Sequence, residues 1–143
     1  MSSVQAFIVQ ANLRRAMLAL ACAVVAVGAQ AQSAMPQWKG EGAVRYVCGG
    51  IGSDESNAMR AAMKEHPLAL LFARSDGAYL ADVQVDIKGS GGAPSLALRA
   101  SGPVCLVDLP AGRYTVDAAT AGGSAQSQSV TVGGSPKTAS FRF

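Results

Sequence analysis

From Pro67 onward the chain alternates short apolar runs with breaks rich in glycine, proline and aspartate. Leu68 to Phe72 is continuously apolar, the pattern of a strand buried on both faces. After an Asp76-Gly77 turn, Ala81, Val83, Val85 and Ile87 alternate with Asp82, Gln84, Asp86 and Lys88, the period-two signature of a half-buried strand. Gly89 to Gly92 turns the chain, and Leu96 and Leu98 then alternate with Ala97 and Arg99. Gly102-Pro103 precedes a strand over Val104 to Leu109. Beyond Pro110-Ala111-Gly112, Tyr114, Val116 and Ala118 face one way, and Arg113, Thr115 and Asp117 the other. Gln126 to Val132 and Lys137 to Phe143 complete the series, the last placing Phe141 and Phe143 on one face. About seven strands follow from Pro67, or eight with Val44 to Cys48, and this spacing predicts a mainly β sandwich.

The stretch before Pro67 reads differently. Gln32 to Gly42 is polar, a flexible lead-in, and Ala43 to Cys48 is short and β-prone. Gly49-Gly50-Ile51-Gly52 breaks that strand, and Ser53-Asp54-Glu55-Ser56 supplies a cap and negative charge for a helix start. Met59, Ala62, Met63 and His66 share one helical stripe, while Asn57, Arg60, Ala61 and Lys64 face elsewhere. One short amphipathic helix is therefore predicted over 54–65, ended by Pro67.

The first thirty or so residues carry a third pattern. Arg14 and Arg15 precede an apolar run from Ala16 to Gly28, and Ala29-Gln30-Ala31 offers the small-x-small sequence that signal peptidase accepts. The run falls short of the about 20 residues a spanning helix needs. Cys22, preceded by Ala19-Leu20-Ala21, lacks the usual aliphatic residue of a lipoprotein site. A secretory signal peptide over 1–31, cleaved after Ala31, is the expectation, with periplasmic or secreted localisation and no stable membrane insertion afterwards.

Cleavage changes the charge. Two of the twelve basic residues leave, so ten face nine acidic ones, and the formal charge falls from +3 to about +1. No concentrated basic stripe remains, which excludes nucleic acid as a partner. About 112 residues suffice for one domain with a modest core. Of three cysteines, Cys48 and Cys105 stay, both on expected strands. Two thiols in an oxidising compartment pair more often than not. Closing so long a loop stabilises a fold by roughly 3–4 kcal/mol.

The run Leu109-Pro110-Ala111-Gly112-Arg113-Tyr114-Thr115-Val116 resembles the carboxypeptidase regulatory-like domain, a transthyretin-like (prealbumin-like) sandwich in which a strand ends in Leu-Pro-x-Gly and the next opens x-Tyr-x-Val. The resemblance covers 67–143 and implies a seven-stranded antiparallel β-sandwich, to which 32–66 adds a lead-in, a short strand and the helix. It is nearly silent on function, because such modules are appended to many unrelated proteins. A single histidine rules out a two-histidine zinc site in one chain. The full pattern is also similar to small exported proteins of proteobacteria, which implies compartment and topology only.

Four features invite chemistry. Gly49, Gly50, Gly52, Asp54 and Glu55 form a glycine-rich turn entering a helix, as in phosphate cradles. No P-loop lysine follows, however, and the two acids would repel an anion. A tight turn, or a recognition loop offering amides and charge, is expected instead. His66 is a candidate acid–base group, but Asp54 and Glu55 lie about three turns away, too far to pair with it. Asp82, Gln84 and Asp86 lack calcium-loop spacing and read as a solvated face. Met59, Met63 and His66 could form a soft metal site, although the methionines also read as core. The expected function is a non-catalytic binding or interaction module of the bacterial periplasm, without cofactor or metal, serving an envelope protein or surface ligand. The alternatives are a small hydrolase using His66 and an acid, or a carrier of metal or small ligand using Met59, Met63 and His66.

Overall fold

A computed structural model describes residues 35–143, so the expected signal segment and its cleavage point lie outside the described residues. Among the described residues nine strands pair into two sheets. They are β1 (Lys39–Glu41), β2 (Val44–Gly49), β3 (Leu68–Ala73), β4 (Val83–Gly89), β5 (Leu96–Ala100), β6 (Val104–Asp108), β7 (Gly112–Ala119), β8 (Ala125–Val132) and β9 (Lys137–Arg142). Helix α1 (Ser53–Ala62) continues into a single 3₁₀ turn (Met63–Glu65) between β2 and β3. The larger sheet runs β1-β2-β6-β3-β9, the smaller β5-β4-β7-β8. The chain is thus mainly β, a sandwich with one helix among its described residues.

Three details depart from expectation. The strands number nine because β1, the polar Lys-Gly-Glu segment, forms a hairpin with β2 through Gly42 and Ala43. Gly42, at φ 63°, supplies the positive φ such a two-residue turn needs. The sandwich is also not wholly antiparallel, since β9 pairs with β3 in parallel, from Leu68 opposite Lys137 to Ala73 opposite Arg142. β4 starts at Val83 rather than Ala81, because Asp82 takes a left-handed φ of 59°.

Alternation assigns every inward side chain. Cys48, Cys105, Leu70 and Ala139 form one cross-strand row on the larger sheet, with Phe72 beside Phe141. These meet Val83, Val85, Ile87, Leu98, Tyr114, Val116 and Ala118 of the smaller sheet in one buried cluster. The Phe72 and Phe141 rings stack with centroids 5.6 Å apart, a geometry worth about 1 kcal/mol beyond burial. Tyr114 is 2% exposed, and its hydroxyl donates to the Pro110 carbonyl at 2.7 Å, pinning the turn into β7. Burial pushes that phenol's pKa up, so it stays neutral and able to donate.

The larger sheet is also covered from outside. Val47, Leu106, Ala69 and Val104 turn away from the sandwich and are buried with Met59 of α1, which is 0% exposed. Three layers result: helix, five-stranded sheet, four-stranded sheet. This explains the unbroken apolar runs of β6, buried on both faces, and of the first half of β3. At the opposite corner the sandwich closes with polar groups. Gln126 and Gln128 occupy inward positions on β8, and their side-chain amides donate to the carbonyls of Arg142 and Ser140 on the outer edge of β9. That edge is thereby blunted against another strand.

Cys48 and Cys105 are directly opposed on β2 and β6 with Cα atoms 4.1 Å apart, and they are bonded. The disulfide closes a separation of 57 residues inside the core. Cys48→Ser and Cys105→Ser are each expected to lower unfolding free energy by about 3–4 kcal/mol, with the double variant no worse than either. Urea melts of the three variants check this, and additive losses would contradict it.

Candidate functional site

The expected helix stripe delivers Met59, Ala62 and Met63 to the larger sheet but not His66. The helix ends earlier, and His66 follows the 3₁₀ turn with extended backbone at φ −120°, ψ 148°. Its ring leaves the stripe and meets the end of β6, where its Nδ1 lies 2.7 Å from Oδ1 of Asp108. Oδ2 of the same carboxylate accepts from Arg45 Nε at 2.8 Å, since Arg45 and Asp108 are cross-strand partners. Asp108 therefore holds a cation and an imidazole at once, one on each oxygen.

Trp38 completes the group. Its ring lies 4.7 Å from the His66 ring, tilted by 41°, and the Arg45 guanidinium stands 4.7 Å from its centroid. Arg45 thus makes a cation–π contact with an indole that a second ring also touches. Because His66 and Asp108 are 19% and 18% exposed, the cluster is neither core nor free surface. Trp38 sits just before β1, and the β1–β2 hairpin fixes it against β2. The sequence offered no signal for this grouping, because the four residues come from the lead-in, β2, the turn before β3 and the end of β6.

The glycine-rich loop proves to be organised from within. Glu55 turns its carboxylate back to accept from the amides of Gly50, at 2.8 Å, and Ile51, at 3.4 Å. The helix N-cap, Gly52, has no side-chain cap, so Glu55 serves the amides just before it. Gly102 is a glycine because its Cβ would stand 2.3 Å from the Gly49 carbonyl oxygen, whereas a Cβ on Gly49 would displace the Glu55 carboxylate. Ile51, 66% exposed, Ser53 and Asp54 are the side chains this segment presents to solvent.

The remaining candidates separate. Met59 is enclosed in the outer core while His66 Nδ1 is committed to Asp108. Among the described residues no group of three or more histidine, cysteine, aspartate or glutamate side chains could hold a metal ion. Gln84 and Asp86 lie on the outer face of the smaller sheet. There Asp86 opposes Asp117 across β4 and β7, and Lys88 pairs with Asp117 at 3.0 Å. Hydrogen bonds from Ser127 and Lys88 hold the Asp117 carboxyl below its ordinary pKa. No family model matches this chain, and no curated protein does either.

Glu55→Ala strips the acceptor from the Gly50 amide, and is expected to lower unfolding free energy by about 1–3 kcal/mol in urea melts. An unchanged midpoint would show that the loop does not depend on this carboxylate.

Proposed function

We propose that the chain is an exported, non-catalytic binding module of the bacterial periplasm, built on a transthyretin-like scaffold of the carboxypeptidase regulatory-like kind over 67–143. Its contact surface is the Trp38, Arg45, His66 and Asp108 cluster. The observation that carries this reading is the packing of Arg45 and His66 against Trp38, both tied to one carboxylate. Tryptophan and arginine dominate the energetic centres of protein interfaces, and a group already fixed in place loses little freedom on binding. The signal-type N-terminus supports export, and the Cys48–Cys105 bond is compatible with an oxidising compartment. No described helix is long and apolar enough to cross a membrane. The partner is an envelope protein or surface ligand that covers the indole.

A hydrolase is the second reading, and one contact favours it: Asp108 bonds His66 Nδ1 as the orienting acid of an acid–base pair would. Against it, no serine, threonine or cysteine side chain among the described residues is hydrogen-bonded to that imidazole. The same carboxylate also neutralises Arg45, as expected of a cluster built to hold Trp38.

A photo-crosslinking residue placed at exposed Gln37 is expected to give a discrete adduct in the envelope of irradiated cells. The adduct should fall at least about tenfold in a Trp38→Ala background. Adducts that persist without Trp38, or that form equally from Gln84 on the far sheet, would overturn the reading.

A further inference from the structure

The short helix leaves one corner of the larger sheet uncovered. On the outer face, Leu71 opposes Ser140 and Ala73 opposes Arg142 across β3 and β9. Helix α1 packs by Met59 against Val47, Leu106, Ala69 and Val104 of β2, β6 and β3, and its Arg60 lines this corner. The space between is a recess of about 270 Å³ lined by Arg60, Leu71, Tyr79, Pro103, Ser140 and Arg142, among others. It lies across the sheet from Trp38, on the flank of β9 rather than β1.

Its charge is one-sided. Among the described residues, Arg45, Arg74 and Arg99 each pair with a carboxylate. Arg60, Arg113 and Arg142 do not, and two of these three, Arg60 and Arg142, line this one recess, whose walls include no acidic side chain. Arg60 is already positioned: its Nη2 donates to the Tyr79 hydroxyl at 2.8 Å, its Nε lies 3.4 Å from Ser56 Oγ, and its guanidinium stands 5.3 Å from the centre of the Tyr79 ring. Tyr79 is 62% exposed, an aromatic side chain standing at the recess instead of in the core.

We propose that this recess binds a small organic anion, with a carboxylate between Arg60 and Arg142 and an apolar body against Leu71, Pro103 and the Tyr79 ring. Two guanidinium groups offer paired, charge-assisted donors suited to a carboxylate. The apolar floor adds a preference that an inorganic anion cannot satisfy. The volume suits a ligand on the order of ten non-hydrogen atoms. The inference uses no residue of the Trp38 cluster and stands whether or not that cluster is a contact surface.

3-Phenylpropionate is a suitable probe, with its uncharged amide and inorganic sulfate as controls. Titrated into the purified protein and followed by NMR, it should give saturable shifts at the Arg60 and Arg142 side-chain N–H groups and at the Leu71 and Gly77 amides. Binding should weaken at least about tenfold for the amide, for sulfate, and for Arg142→Gln, while Arg142→Lys retains part of it. The same spectra report whether each variant is folded. No saturation by about 10 mM, equal binding of the amide or sulfate, or undiminished binding in the folded Arg60→Gln/Arg142→Gln double variant would overturn the proposal.

Discussion

Strand β6 has no face to give to water. Cys105 and Val107 turn into the sandwich, Val104 and Leu106 turn outward, and all four are 0% exposed. An antiparallel sandwich commonly leaves one face of each sheet wet; here the larger sheet needs a second cover, and α1 provides it through Met59. Much of the rest follows. The helix must start close to β2, and the end of β2 passes so near Gly102 that a Cβ there would meet the Gly49 backbone. Glu55 then serves the amides exposed by that tight passage.

The two functional proposals sit where this burial ends. At one end of β6, Asp108 is the first residue of the strand to reach water, and it gathers Arg45 and His66 around Trp38. At the other flank, a helix of ten residues cannot span all five strands, and the corner it leaves holds Arg60 and Arg142. Between the sheets, the seam beside β9 is shut by Gln126 and Gln128, which bond backbone and leave that edge poorly suited to strand addition.

Much of the architecture was legible because apolar periodicity reports burial directly. The alternation of Val83, Val85 and Ile87, and the unbroken Leu68 to Phe72 run, predicted one half-covered strand and one central strand, as found, with the outer face of the latter opening at Leu71. The helix was legible within a few residues, and so was the cysteine pair. Other features left no local trace. β1 is a polar strand whose pairing depends on a turn, and inward glutamines on β8 look like surface residues. The parallel pairing of β9 with β3 is a long-range choice. His66 appeared to belong to the helix stripe, yet the 3₁₀ turn ended the periodicity and sent the ring to a carboxylate 42 residues away.

The central claim, that the middle sheet is held from both sides, is tested most directly by native-state hydrogen exchange on the protein and its Met59→Ala variant. The amides of Val104 to Val107 should exchange only through global unfolding, as slowly as those of β4 and β7. Met59→Ala should lower protection in both sheets together by about 2–4 kcal/mol. If β6 opens more easily than β4 and β7, or keeps its protection without Met59, the helix is an appendage and the three-layer account is wrong.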